Sequence, residues 1–285
     1  MHTLAIDIGG TKIALGVVSN GNIIERCQLP TPKAQSAEQF AHAILAHCQE
    51  WLAGVDKIGI STTGLVTEQG ISAINPGTLA FPAPFPLHQE LERLTDKPVA
   101  ILNDAQAAAW FEYLQLDGQY KNMAYVTVST GVGGGLVIDG KLHTGASNLA
   151  GHIGHTVIDL NGPECGCGLK GCVEAVASGT AINKFARESI REDISNIELF
   201  ELAKTDPKAH AIIERSAKAV ATLCTNLKAS CDLDAIVLGG GIGLAGNYID
   251  LVRNEVANAP APFQVPVFAA IGDYDACLLG AAFQF

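Results

Sequence analysis

The sequence predicts an α/β protein of two related domains facing each other across a cleft. Three observations carry this. The order strand, glycine loop, strand, Asx-Gly turn, strand occurs near Asp7 and again near Thr130, as in a duplicated unit. Segments of helical period alternate with short apolar runs of strand length. The chain has 285 residues, 48% hydrophobic and 16% charged, enough to bury two cores.

In the first domain, strands are expected over 3–8, 13–18 and 23–29. Asn20-Gly21 joins the last two, because both residues tolerate the positive φ of a tight hairpin. Ser36 caps a helix, with Gln39 at the capping-box position. Phe40, Ile44, Leu45, Cys48, Trp51 and Leu52 give that helix one apolar face, and Gly54 ends it. A strand over 57–61 runs into a loop at Gly64. Residues 75–86, rich in Pro and Gly, form a loop or lid edge. A buried strand over 99–102 is followed by a helix from Asp104 to about Leu116.

The pattern then restarts, with the junction near 117–121. The first domain is expected at 1–117 and the second at 118–275, with a terminal helix packing back on the first over 276–285. Strands are expected over 124–128 and 136–138, with an Asp139-Gly140 turn and a third strand from Leu142. An irregular segment over 145–174 is rich in Gly, His and Cys. Asp206 and Pro207 open a long helix to about Ser230. A strand over 235–238 runs into Gly-rich sequence that opens another helix, and the last strand covers 265–271.

The net charge of −11 comes without any basic block, which argues against a nucleic-acid partner. No run reads as a membrane span and no signal peptide is visible, so a cytoplasmic protein is expected. Three of the eight cysteines crowd into one segment and five are scattered. That usage fits a metal site in a reducing compartment better than a disulfide scaffold.

Three glycine loops could receive phosphates: Gly9-Gly10 with Thr11 and Lys12, then Thr130-Gly131 with Gly133, Gly134 and Gly135, then Gly239, Gly240 and Gly241. Glycine lets backbone N–H groups approach an anion without a Cβ clash. None is a GxxxxGK[ST] loop, and each alone could be a turn needing positive φ. Asp7, at a strand end, reads equally as a turn cap or as a magnesium partner through water. Asp104 reads as an N-cap, or as a carboxylate that takes a proton from an attacking hydroxyl. His155, Cys165, Cys167 and Cys172, spaced H-x9-C-x-C-x4-C, match a tetrahedral structural zinc site. His152 and Glu174 flank that cluster.

These motifs, DIGGTK (7–12), STTG (61–64), LNDAQAAA (102–109), TVSTGVGGG (127–135), AGHIGHT (150–156), CGCGLKGCVEA (165–175) and LGGGIG (238–243), span almost the whole chain. In order and spacing they resemble the ROK family of sugar kinases and repressors, inside the actin-like ATPase (ribonuclease H-like) fold. The resemblance implies a kinase that uses ATP, Mg2+ and a structural Zn2+. The 6-hydroxyl of N-acetylmannosamine is the expected acceptor, in sialic acid catabolism, with glucose or N-acetylglucosamine as the alternatives. Asp104 would be the base, and Gly64, Asn103, His155 and Glu174 would lie at the sugar. Ala5, Ile6, Asp7, Ile8, Gly9, Gly10, Thr11 and Lys12, with Thr130, Gly131, Val132, Gly133, Gly134 and Gly135, would surround the phosphates. Gly239, Gly240 and Gly241 would lie near the adenosine, and Asp7 would meet magnesium through water. Many members carry Glu where this chain has His152, which implies an altered pocket near sugar C2 or the anomeric centre. The family also implies a homodimer. A repressor is not expected, because the first strand begins at Thr3 and leaves no room for a DNA-binding module. A catalytically dead sugar sensor is not expected either, because Asp104 and both phosphate loops are intact.

Overall fold

The computed structural model describes residues 2–75, 83–272 and 275–285. The lid edge expected over 75–86 therefore lies largely outside the described residues. The chain forms two compact units, one of residues 1–115, 144–149 and 272–285 and one of 116–143 and 150–271.

The first unit opens with β1 (His2–Ile8), β2 (Lys12–Ser19) and β3 (Asn22–Pro30). Asn20 and Gly21 take φ of 48° and 81°, the turn expected from that pair. Then come α1 (Ala37–Leu45), α2 (Gln49–Leu52), β4 (Lys57–Thr62), and a small hairpin of β5 (Leu65–Thr67) and β6 (Gly70–Ser72). The helix α3 (Leu87–Thr95), β7 (Val99–Asn103) and α4 (Asp104–Leu114) complete this stretch. The sheet order is β3-β2-β1-β4-β7, with β1, β4 and β7 parallel. Strand period two sends Leu4, Ile6 and Ile8 into a core with Phe40 and Ile44, while Ala5 faces the other side.

The second unit repeats the plan with β8 (Met123–Val128), β9 (Val132–Ile138) and β10 (Lys141–His143). After the cysteine segment come α5 (Val173–Ala177), α6 (Gly179–Ser189), α7 (Asn196–Leu202) and α8 (Pro207–Cys231). They are followed by β11 (Ala235–Gly239), α9 (Tyr248–Ala257) and β12 (Val267–Ala269). Its sheet order, β10-β9-β8-β11-β12, reproduces that of the first unit strand for strand. Asp206 caps α8 through Lys208 and Ala209 N–H, with Pro207 at the first helical position. Ile213, Ala217, Val220, Cys224 and Leu227 of α8 recur at helical spacing in the core. The terminal α10 (Ala276–Ala282) belongs to the first unit, where Leu278 and Ala282 pack on Ala5. No helix among the described residues is long and apolar enough to cross a membrane.

Several expected elements differ. The helix starting at Ser36 breaks at residues 46–48, where His47 and Cys48 N–H bond three residues back and the buried Cys48 leaves helical backbone geometry before α2. The strand over 99–102 is half-buried rather than buried, because β7 lies at the edge of its sheet. Gly133, Gly134 and Gly135 lie inside β9 and not in a loop. The turn is 129–131, closed by Ser129 N–H on the Gly131 carbonyl at 2.9 Å. The Gly-rich stretch after β11 does not open a helix. Ile242 and Gly243 N–H bond back to the Val128 carbonyl, and α9 begins only at Tyr248. The last strand shortens to Val267–Ala269.

Candidate active site

In the first unit, pairing register brings the chemistry to one edge. Asp7 stands beside Ser61 on β1 and β4, and Thr62 stands beside Asn103 on β4 and β7. Ligands in open α/β sheets gather at the carboxyl ends of parallel strands, where these residues lie. Asn103, not Asp104, caps α4. Its Oδ1 accepts from Ala105 N–H at 3.0 Å and Gln106 N–H at 3.3 Å, and Gln106 answers on the Asn103 N–H. Asn103 Nδ2 donates to the Gly64 carbonyl at 3.0 Å, which holds the Gly64 turn at φ 92°. The cap role is thus filled, and Asp104 becomes the first helical residue.

Asp104 keeps partial access to solvent. Its Oδ1 accepts from Ala105 N–H at 2.7 Å. Removal from water pushes its carboxyl up to about 6; the Ala105 bond works against this and the charge of Asp7 adds to it. Asp7 is also held above the usual carboxylate range by burial, opposed by Ser61 and then by Lys12. Ser61, fully buried, donates to Asp7 Oδ1 at 2.6 Å. Sequence reasoning gave Ser61 no role, and only its place in STTG could have drawn attention to it.

The turn after β1 closes through Gly9 N–H on the Lys12 carbonyl at 3.0 Å. Thr31 Oγ1 fixes the Gly9 carbonyl at 2.7 Å. Gly10, Thr11 and Lys12 are exposed, and Gly10 faces open space. The side chains of Ala5, Ile6 and Ile8 are sealed in the core, so a ligand at this turn would meet these residues through their backbone alone.

In the second unit, a cavity of about 400 Å³ is lined by Ser129, Thr130, Gly179, Thr180, Asn183, Asn196, Gly241 and Ile242. Thr180 N–H and Oγ1 both hold the Thr130 carbonyl, at 3.2 and 2.9 Å. Of the three glycines after Leu238, only Gly241 lines it. A Cβ on Gly239 would meet the Tyr125 hydroxyl, and one on Gly240 would meet the Val128 carbonyl, so both serve packing. Gly134 likewise lets Ile153 approach β9. Asn183, Asn196, Gly179 and Thr180 were not singled out from sequence. The local signals there are the Ser178 cap that opens α6 and the Ser195–Glu198 capping box that opens α7.

His155, Cys165, Cys167 and Cys172 come together, all ligand atoms within 4.8 Å of one another. His155 Nδ1 lies 3.6 Å from Cys165 Sγ, and Cys167 Sγ lies 3.8 Å from Cys172 Sγ. A tetrahedron with metal–sulfur bonds of about 2.3 Å has edges of about 3.8 Å, so the donor set fits zinc. Burial, with the neighbouring thiols adding to it, pushes Cys172 up to about 12, a shift that the charge of a bound divalent cation would reverse. Gly171, at φ 74°, lets the chain pass against Asp159.

His152 Nε2 is buried without a hydrogen-bond partner among the described residues. Burial, and then the neighbouring His155, hold the His152 imidazole below its usual range, so it is neutral at pH 7. Glu174, the second residue of α5, sends Oε2 to Val132 N–H at 3.1 Å.

A family model described as "ROK family" matches residues 3–284. An N-acetylmannosamine kinase of Vibrio vulnificus is 64% identical, with 100% of this chain and 98% of that protein covered. A ROK hexokinase from Thermus thermophilus superposes with a TM-score of 0.83 at 34% identity, covering 99% of this chain and 97% of that one. A ROK glucokinase from Streptomyces griseus, solved with glucose and AMPPNP, gives 0.79 at 30% identity, covering 99% and 98%. The duplicated mixed sheets are those of the actin-like ATPase fold. The chain belongs to the ROK family.

Proposed function

We propose that this chain transfers the γ-phosphoryl group of ATP to the 6-hydroxyl of N-acetylmannosamine. The observation that carries the reaction type is Asp104. It is a partly accessible carboxyl at the end of a parallel strand, released from capping by Asn103 and held near pKa 6. At pH 7 it is mostly ionised and close enough to neutrality in pKa to accept a proton, which suits a general base. The sugar hydroxyl loses its proton to Asp104 as its oxygen attacks phosphorus, and ADP leaves with the bridging oxygen. The turns at 9–12 and 129–131 would bind the phosphates, and the cavity beside Thr130 would take the nucleoside. Magnesium, when bound, neutralises phosphate charge. Asp7, with Oδ1 tied to Ser61, would meet its water shell.

N-Acetylmannosamine is favoured by the name carried by the Vibrio vulnificus relative, which aligns over the full length. His152 supports it. A neutral imidazole with an unpaired buried nitrogen would complete its hydrogen bonding on a sugar substituent. His155 and Glu174 would bind sugar hydroxyls, with Nδ1 of His155 on zinc. Zinc, when bound, is structural, because protein atoms supply four donors. ATP supply and eight unpaired thiols suit the cytoplasm. We include a homodimer in the reading; sedimentation at micromolar concentration tests it.

A substrate panel with ADP detection decides the sugar. N-Acetylmannosamine should give the highest kcat/KM, and glucose or N-acetylglucosamine ahead of it would overturn the assignment. Asp104→Asn should lower kcat by roughly 100- to 10,000-fold with sugar and ATP affinity retained. Near-normal turnover would remove Asp104 from the role of base. Freshly purified protein should contain about one zinc per chain.

A further inference from the structure

We propose that Glu174 is a positioning residue for the 129–132 turn as well as a sugar contact, so that one carboxylate couples sugar binding to nucleotide binding. The inference rests on the reading of Glu174 as a sugar contact and of this turn as a phosphate site.

The turn is held from two sides. Its carbonyls are taken by the start of α6: Gly179 N–H on Ser129 at 2.7 Å, and Thr180 N–H and Oγ1 on Thr130. Its Val132 N–H is taken by Glu174 Oε2 at 3.1 Å. Val132 begins β9 and is buried, so this bond fixes the plane of the peptide that follows Gly131. Gly131 makes the approach possible, because a Cβ there would lie 2.7 Å from Oε2. The pair is 42 residues apart in sequence, and the packing of Val173 and Val176 of α5 in one core with Val132 brings the carboxylate to β9. Glu174 itself follows Cys172, the N-cap of α5, by two residues. A zinc ligand, a proposed sugar ligand and the turn are therefore linked by short covalent and hydrogen-bonded steps. A sugar that orders the carboxylate would order the turn before nucleotide arrives, which is positive coupling.

The test is calorimetric titration of magnesium AMPPNP into the full protein, with and without N-acetylmannosamine. Wild-type protein should bind AMPPNP several-fold tighter with sugar present. Glu174→Ala should weaken AMPPNP about tenfold without any sugar, the scale of a lost hydrogen bond to a charged group, and should abolish the response to sugar. Glu174→Gln keeps an acceptor oxygen for Val132 and should restore sugar-free AMPPNP affinity to within about threefold of wild type, on the same bond scale. Glu174→Ala binding AMPPNP like wild type, or Glu174→Gln failing to rescue, would overturn the proposal. Gly131→Ala puts a methyl group against the carboxylate. It should weaken AMPPNP in the absence of sugar, and wild-type AMPPNP affinity in that variant would also overturn the proposal. Sugar affinity of Glu174→Ala without nucleotide separately tests the sugar contact. Wild-type protein that binds no AMPPNP would sink the kinase reading itself.

Discussion

Two carboxyl groups that share one sheet edge set the behaviour of the proposed base. Burial, and then Asp7, raise Asp104 from its ordinary 3.8 to about 6. The native chain therefore holds this proton more tightly than the unfolded chain. The stability that follows is fully present below about pH 4 and is lost as pH rises through 6. The ionised group costs on the order of 3 kcal/mol at pH 8. Asp104→Asn should raise the urea midpoint at pH 8, and its advantage should shrink towards pH 4. A pH-independent difference would show that ionisation is not the cause. For activity the sign is opposite, because the base must be ionised. The plot of kcat/KM against pH should fall on its acid side with an apparent pKa near 6. Asp7→Asn removes one raising charge and should move the Asp104 pKa downward. Carboxyl carbon NMR shifts would show this without turnover. The hydrogen bond from Ser61 opposes the effect of burial on the Asp7 carboxyl, so its hydroxyl belongs to the same balance, with its place in STTG as the sole hint in the sequence.

At the scale of elements, the short α10 depends on close backbone approach. Gly59 of β4 faces the backbone of Ala281, and Gly280 faces the backbone of Ala107 on α4. A Cβ at either place has no room, so the fit of α10 against β4 and α4 is set by two missing methyl groups. Gly280→Ala should cost about 1–3 kcal/mol by overpacking, read as a lower urea midpoint. Because α4 begins at Asp104, kcat should fall with it. What was legible in the sequence at this scale was local. The Asn20-Gly21 and Asp139-Gly140 turns, the Asp206-Pro207 start of α8 and the cysteine cluster each carry their own signal over a few residues. What was not legible depends on distant partners. Asn103 and Asp104 are both capping residue types, and the pairing of Asn103 with Gly64 decides between them. The stretch after β11 looks like a helix start, but Val128, more than a hundred residues earlier, takes its first N–H groups. The Glu174–Val132 bond joins two motifs that read separately along the chain.

At the scale of the molecule, the two units carry separate cores, one built around Phe40, Ile44 and Ile60 and one around Val126, Val220 and Ile236. The cysteine segment lies in the second unit and lacks apolar support of its own, with Leu160 85% exposed and Leu169 51% exposed. Its backbone bonds are mostly internal to the segment, such as Ile158 N–H on the Gly171 carbonyl and Cys165 N–H on the Leu169 carbonyl. A metal ion there would supply the cohesion that a core supplies elsewhere. Both tryptophans of the chain, Trp51 and Trp110, belong to the first unit, whereas helices of both units contribute to far-ultraviolet dichroism. The two signals therefore report different parts of the molecule. Removing zinc with a chelator should lower the urea midpoint seen by dichroism and leave the tryptophan transition nearly in place. One equivalent of Zn2+ should bring the two transitions back together. If the tryptophan signal fell first, or if chelation moved neither signal, the metal would not be holding the second unit, and the assignment of His155, Cys165, Cys167 and Cys172 as its ligands would fail.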